Sequence, residues 1–365
     1  MTILLRCRGK KCVLSAELFA AALQLFSVRS ILVMASGVPL LIEFFMRYTI
    51  PPHKEVNMKN KPLFYKCLLH PRYWLTWFGL GILWLWVQLP YPLLMKMGDL
   101  IGRFSMRFLK RRVTIARQNL KLCFPHYSEA QVEIIVRKNF GSLGMGLIET
   151  GMAWFWSDAR VRKWFEVRGL EHITAACEKG KGVMVIGVHF MSLELGGRVM
   201  GLCRPMMAMY RPHNNKAMEY VQTRGRSRSN KAMLDRRNLK GMVKALKSGE
   251  AVWFAPDQDY GPKGSSFAPF FAVQQAATTN GTFTIARLAK PAILTTVLIR
   301  KASGTGYQLV IEPEFCDYPA EDEQAAAAYM NRKIEHEIMR APEQYLWLHR
   351  RFKTRPFGHA GLYTI

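Results

Sequence analysis

The chemistry-bearing residues of this 365-residue chain gather in two short stretches. In the first, GVMVIGVHFMSLELGG, an apolar run that reads as a strand ends just before His189, and Glu194 follows five residues later with Gly196 and Gly197 behind it. Open α/β sheets keep their sites beyond the C-terminal ends of parallel strands, which is where this histidine falls. A helix starting at SLELGGRVM would let the His189 and Glu194 side chains approach one another. A carboxylate on one imidazole nitrogen fixes the tautomer and makes the other nitrogen a fit acceptor for a hydroxyl proton. Ser192 lies close enough to be considered as a nucleophile, although a serine at a helix start is more often a cap. In the second stretch, AVWFAPDQDYGPKGSSFAPFFA, a strand ends at Ala255 and Asp257 and Asp259 follow. Two carboxylates there could orient an arginine or bind a metal, and with no third oxygen ligand nearby the arginine is preferred. Phe267, Phe270 and Phe271 could line an acyl channel or simply fill the core.

Several other chemistries have no footing. G-x-S-x-G, H-E-x-x-H and G-x-x-x-x-G-K-[ST] do not occur, which removes the serine-hydrolase elbow, the zinc-protease helix and the P-loop. The seven cysteines are scattered without a C-x-x-C pair and read as reduced thiols. Neither a metal nor a bound cofactor is expected.

The elements that must hold these residues follow from the pattern of apolar runs. Residues 100–170 interleave basic and apolar positions as helices do. Short β-rich runs then appear at 182–188, 206–210, 251–255, 292–299 and 307–313, with helix-like stretches between most of them. Such alternation predicts an α/β fold with a mainly parallel or mixed central sheet flanked by helices. Upstream, residues 73–90 (YWLTWFGLGILWLWVQLP) carry no formal charge over 18 positions and include four tryptophans, which predicts a membrane helix preceding the domain. Residues 13–46 are apolar but interrupted by Arg29, and they read either as a second membrane segment or as translated upstream sequence, because Met58 opens a plausible start. The expected organisation is therefore an N-terminal extension (1–61), a membrane-anchoring region (62–95) and a catalytic domain (96–365).

Charge narrows the partners. Lys and Arg number 52 against 26 for Asp and Glu, a net charge of +26 that calls for anionic partners. Between Arg204 and Lys247 twelve basic residues face only Glu219 and Asp235, which is either a solvated face or a phosphate-docking surface. The run has little aromatic interleaving, which argues against nucleic acid, whereas the Trp-rich stretch suits anionic membrane lipid. More basic residues follow the 73–90 stretch than precede it, favouring a catalytic domain on the cytoplasmic side.

His189 with Glu194, YRPHNN (210–215), TRGRSRSN (223–230), PDQDYGPKGSSFAPFF (256–271) and PEQYLWLHRRFKTRP (342–356) occur in an order that resembles the late acyltransferases of lipid A biosynthesis. The resemblance runs from about Leu63 to Tyr363. It implies an inner-membrane enzyme, anchored by one or two passes, that takes an acyl chain from the thioester of acyl carrier protein. The acceptor it implies is a 3-hydroxyacyl hydroxyl of Kdo2-lipid IVA, and the chain palmitoleoyl, with laurate or myristate as alternatives. Carried over residue by residue, the family's essential positions fall on His189, Glu194, Arg226 and Asp257. The mechanism expected of them has His189 as base, Glu194 holding the imidazole, Arg226 binding phosphate or orienting the site, and Asp257 holding Arg226. Arg211 and Asp259, in the same blocks, are expected to bind substrate or organise the site. Two rival readings stay open: the same chemistry on a glycerophospholipid acceptor, and a membrane-tethered basic protein without catalysis.

Overall fold

The structure, a computed structural model, describes residues 64–364 together with Leu5–Cys7, Lys10–Cys12 and Ile42. The chain divides into two units, Met1–Ile50 and Pro51–Ile365. In the first, β1 (Leu5–Cys7) and β2 (Lys10–Cys12) pair antiparallel. The expected second membrane segment and the alternative start at Met58 otherwise lie outside the described residues.

The second unit opens with helices: α1 (Trp74–Trp86), α2 (Tyr91–Ser105), α3 (Lys110–Cys123), α4 (Glu129–Phe155) and the short α5 (Asp158–Arg162). It continues as β3 (Phe165–Arg168), α6 (Leu170–Glu178), β4 (Val183–Gly187), α7 (Leu193–Cys203), β5 (Met207–Tyr210), α8 (Lys216–Arg226), β6 (Ala232–Asp235), α9 (Leu239–Lys247) and β7 (Ala251–Phe254). The hairpin of β8 (Ser265–Phe270) and β9 (Val273–Thr279) comes next. After it come α10 (Gly281–Ala289), β10 (Ala292–Arg300), β11 (Tyr307–Ile311) and α11 (Glu323–Met339). Seven strands form one sheet in the order β3-β11-β10-β4-β7-β5-β6. All neighbours run parallel except β10 and β11. The sheet is mixed and mainly parallel, as the alternating pattern predicted.

Residue type explains the placement of the strands. β4 is buried at all five positions and β10 at its first seven, the continuous apolar runs of strands covered on both faces. Both edge strands escaped the sequence reading. β3 alternates half-buried and exposed positions at the end of a helical region, and β6 is four half-buried residues inside the basic run.

The 73–90 stretch is corrected. Pro71–Tyr73 is a 3-10 turn, α1 covers 13 residues, and a new helix starts after Pro90. At 1.5 Å per residue α1 is about 20 Å long, short of a hydrocarbon core about 30 Å thick. Among the described residues, no helix is long and apolar enough to cross a membrane. The tryptophans are partly internal: Trp77 Nε1 donates to Leu68 O at 2.8 Å, and Trp74 Nε1 to Leu69 O at 3.0 Å. Trp77, Leu80 and Leu83 form the buried face of α1.

Helix α4 is the spine against which the other parts are set. Ser128 and Gln131 close its N-terminus in a reciprocal capping box. Glu149, fully buried on α4, takes a two-pronged grip from Arg300 at the end of β10 (2.5 and 2.8 Å), and Tyr307 Oη adds a third donor at 2.8 Å. On the other flank, Gly98 and Gly102 of α2 meet Gly144 and Met145 of α4 without intervening side chains. Two buried asparagines clamp the segment that returns behind the sheet. Asn119 of α3 donates to Trp347 O and His349 O at 2.6 and 2.7 Å, and Asn139 of α4 to Glu343 O and Tyr345 O at 2.9 and 2.7 Å. Burial pushes the His349 imidazole down to about 4.

A Cβ at Gly102 would overlap the carbonyl oxygen of Phe140, whereas one at Gly79 meets nothing within 4 Å. Gly102→Val should therefore cost about 3 kcal/mol or more, while Gly79→Ala should be neutral or stabilising by up to about 1 kcal/mol, both read from denaturation midpoints. His349 supplies a pH test. Its folded-state value lies below the unfolded value of about 6.5, so the unfolded chain binds the extra proton and stability falls as pH drops from about 6.5 to about 4. Stability curves of the native chain and His349→Asn should converge through that window and run parallel above it; parallel curves throughout would refute the assignment.

Candidate active site

Strand register brings the two chemical stretches together. β4 and β7 are parallel neighbours with Ile186 opposite Phe254, and three residues beyond that pair lie His189 on one strand and Asp257 on the other. Asp257 is fully buried. Its Oδ1 lies 2.5 Å from His189 Nδ1, and its Oδ2 accepts the backbone N–H of His189 at 2.9 Å. With a carboxylate as acceptor, Nδ1 carries the hydrogen and Nε2 is left as the proton acceptor. Burial pushes the Asp257 carboxyl up, but the charge and hydrogen bonds of His189, aided by Arg351, outweigh it and leave the group below its ordinary range. The backbone around His189 is held from behind by the clamped segment: Leu346 N donates to His189 O at 3.0 Å, and Met191 N donates to Gln344 O at 2.8 Å.

Glu194 does not hold the imidazole. As the second residue of α7 it faces α4 and α8, where Arg226 grips it through Nε and Nη2 at 2.8 and 2.7 Å and Trp154 Nε1 donates to it at 2.8 Å. Burial raises the Glu194 carboxyl, yet the Arg226 guanidinium and the Trp154 N–H bring it below the usual carboxylate range. Burial likewise opposes the charge on Arg226, and Glu194 more than restores it. The expected partners of the two carboxylates are thus exchanged: Asp257 takes the histidine and Glu194 takes the arginine. Strand neighbourship explains the exchange, because the residue following the adjacent parallel strand lies beside His189, while Glu194 in the first turn of α7 is taken up by Arg226 and Trp154.

A cavity of about 230 Å³ opens at this sheet edge. Glu194, Arg211 and Arg226 supply its charged lining beside the imidazole of His189, and Met200, Met206, Met209, Met233 and Leu298 are among its apolar walls. Arg211, one residue past β5, is exposed and lines the cavity. Tyr210, also in the lining, donates from Oη to Glu219 Oε1 at 2.7 Å, and burial together with that carboxylate pushes its hydroxyl up to about 12. Trp154, Gln222 and the methionines of the lining are not legible from motif or spacing; the one sequence signal is the methionine-rich run MMAMY (206–210) leading into the cavity.

Other candidates are reassigned. Asp259 is buried away from the cavity lining and accepts from Gly261 N, Thr354 N and Thr354 Oγ1 at 2.8 to 2.9 Å, so it ties the closing segment to the loop rather than orienting an arginine. Ser192 is fully buried and donates to Leu298 O at 2.6 Å; it neither caps α7 nor offers a nucleophile. Phe270 belongs to the core and Phe271 packs against it, with Phe124 4.7 Å and Trp347 6.3 Å from the Phe271 ring, and none of the three phenylalanines lines the cavity.

The arrangement is an imidazole held through Nδ1 by a buried carboxylate, beside a cation held by its own carboxylate, at the head of an apolar cavity. Comparison with known proteins gives the family. The profile of the bacterial lipid A biosynthesis acyltransferase family matches residues 61–354. The chain is 68% identical over 295 residues to the lipid A biosynthesis palmitoleoyltransferase of Escherichia coli (strain K12), covering 81% of this chain and 96% of that one. It is 54% identical over 301 residues to the lauroyltransferase of the same organism (82% and 98% covered), and 28% identical over 327 residues to its myristoyltransferase (86% and 99% covered). A profile match spanning every strand of the sheet and every residue of the site establishes that this chain belongs to the bacterial lipid A biosynthesis acyltransferases.

Proposed function

We propose that the chain transfers a palmitoleoyl group from the thioester of acyl carrier protein to a 3-hydroxyacyl hydroxyl of Kdo2-lipid IVA, at the cytoplasmic face of the inner membrane. The observation that carries the reading is the His189–Asp257 pair at the head of the apolar cavity. Nε2 of His189 takes the acceptor's hydroxyl proton as that oxygen attacks the thioester carbonyl. The tetrahedral intermediate collapses with cleavage of the C–S bond, and the imidazolium returns the proton to the departing thiolate. Asp257 keeps Nδ1 protonated and stabilises the imidazolium, so no nucleophilic side chain and no metal enter the scheme.

Arg226 has a different task. Glu194 fixes its guanidinium on the cavity wall, where it orients a phosphate or the carbonyl oxygen as negative charge develops. Arg211 adds an exposed cation in the same lining. The net charge of +26 suits both substrates, since the donor rides on an acidic protein and the acceptor carries phosphates and acidic sugars. The palmitoleoyl choice is supported by the 68% identity to a protein of that name, while 54% identity to a lauroyltransferase keeps the apolar walls a determinant to be measured.

His189→Ala should lower transfer from palmitoleoyl-acyl carrier protein by about 100-fold or more, and a variant keeping over about a tenth of the native rate would exclude the base assignment. Asp257→Asn and Glu194→Gln separate the two ion pairs. The first should lower kcat by about 100-fold or more through loss of the tautomer lock. The second should loosen Arg226 and raise KM for the acceptor more than it lowers kcat, with Arg226→Lys behaving alike because a single ammonium cannot reproduce the two-pronged grip. Equal losses in kcat from all three variants would refute this division of labour.

A further inference from the structure

We propose that the indole N–H of Trp253 is the donor that receives the carbonyl oxygen of the bound acyl thioester as that oxygen becomes an oxyanion. The inference rests on the proposed function and names the group that holds its reacting carbonyl. Trp253, the third residue of β7, is half-buried and lines the cavity together with Gly187 and His189. Register fixes where its side chain lies. Val185 of β4 pairs with Trp253, so Gly187, two residues on, presents the same face of the sheet. A Cβ added to Gly187 would come within 2.1 Å of Trp253 Nε1 and 2.3 Å of Cε2, so the nitrogen edge of the indole lies over the backbone of Gly187. His189 follows two residues later, and its ring stands at 72° to the indole with 6.3 Å between centres.

The N–H is unspent. Trp74, Trp77, Trp156 and Trp347 each donate from Nε1 to a backbone carbonyl, and Trp154 donates to Glu194. Among the described residues Trp253 Nε1 has no acceptor, and the atom is open to the cavity it borders. A tryptophan turned into a protein usually finds a partner for this group. Here the partner must come with the occupant of the cavity. An acyl thioester brings hydrocarbon for the apolar walls and one carbonyl oxygen for the head.

The neighbouring backbone is already committed. Of the five N–H groups from His189 to Leu193, four have acceptors at 2.7 to 3.0 Å: His189 donates to Asp257 Oδ2, Phe190 to Val188 O, Met191 to Gln344 O and Leu193 to Phe190 O. The fifth belongs to Ser192, which is fully buried. Distance suits the indole for the task. An attacking oxygen about 3 Å from the imidazole nitrogen and a carbonyl oxygen about 3 Å from the indole nitrogen, both on one tetrahedral carbon, fit between two rings so spaced. The indole keeps its proton throughout. Its hydrogen bond strengthens as charge moves onto the oxygen and relaxes when the C–S bond breaks and the carbonyl re-forms. Arg226 and Arg211 are then left to the anionic groups of the acceptor.

The test replaces Trp253 with β-(3-benzothienyl)alanine, which keeps the shape of the indole and puts sulfur where the N–H stands. Transfer from palmitoleoyl-acyl carrier protein to Kdo2-lipid IVA should fall about 100-fold in kcat, with KM for either substrate within about threefold of native and an unchanged melting midpoint. Trp253→Phe should lose at least as much. The same analogue at Trp164, which stacks on Tyr91 outside the cavity lining, should stay within about twofold of native. Retention of more than about a third of the native kcat by the benzothienyl variant at 253 overturns the inference and points to the amides at the start of α7 instead. A loss confined to KM also overturns it, since Trp253 would then be only a wall of the acyl pocket. So does an equal loss from the Trp164 variant. A native chain that transfers no acyl group from acyl carrier protein fails the proposed function itself. A native chain that transfers, with His189→Ala inactive and the benzothienyl variant active, fails this inference alone.

Discussion

A fully buried carboxylate is tolerated only when donors surround it, and Asp257 draws two of its donors from one residue. By accepting both the ring and the backbone N–H of His189, it fixes the side chain and the chain path of the same residue. This is possible because β4 and β7 are adjacent, parallel and in register, so that equal steps past their ends arrive side by side. Shifting the register by one residue would move every side chain of the strand to the opposite face and leave the carboxylate buried without its partner. The returning segment closes the arrangement, since Leu346 and Gln344 take up backbone groups of His189 and Met191 that would otherwise be orphaned.

Helix α4 carries the second half of the site, and it does so through its smallest and largest residues together. Gly146 lets α4 approach the backbone oxygen of Met191, where a Cβ would sit 2.6 Å away. About two turns further on, Trp154 reaches Glu194 with its indole N–H. The ring of Trp154 in turn lies where a Cβ on Gly225 would come within 2.5 Å, so the absence of a side chain at that position is what lets α8 close on α4. Arg226, the next residue, is thereby brought to the carboxylate that α7 presents. The cation is positioned by steric permission two helices away as much as by its ion pair.

Much of this was legible in the sequence, and the failures share a cause. The five apolar runs from 182 to 313 became β4, β5, β7, β10 and β11, and the clearest of them, β4 and β10, are the strands covered on both faces. Type and position single out His189 and Glu194, the family resemblance adds Arg211 and Arg226, and all four line one cavity. What could not be read was pairing. Glu194 is five residues from His189 and Asp257 is 68 away, yet strand neighbourship, which is a three-dimensional fact, makes the distant residue the partner. The same limit applies to 73–90, where composition shows an apolar stretch but Pro71 and Pro90, with the burial of Trp77 against the body, decide that it is a short helix on a surface rather than a span. Edge strands β3 and β6 are hidden because charged residues break their apolar runs: FEVR carries Glu166 and Arg168, and AMLD ends on Asp235 inside the basic run.

Placing two carboxylates at one sheet edge has an electrostatic consequence. Both Asp257 and Glu194 lie below the ordinary carboxylate range, and Arg226 lies above its own, so each ion pair holds its charge firmly against burial. Had Glu194 faced the imidazole as well, two negative groups would have competed for one ring, and one of them would have been driven toward protonation. Giving each carboxylate its own cationic partner avoids that competition. Asp257, Glu194 and Arg226 thus each hold their charge through a partner inside the fold, and in the proposed reaction the imidazole of His189 is the group that takes a proton from a hydroxyl and returns it to a leaving group.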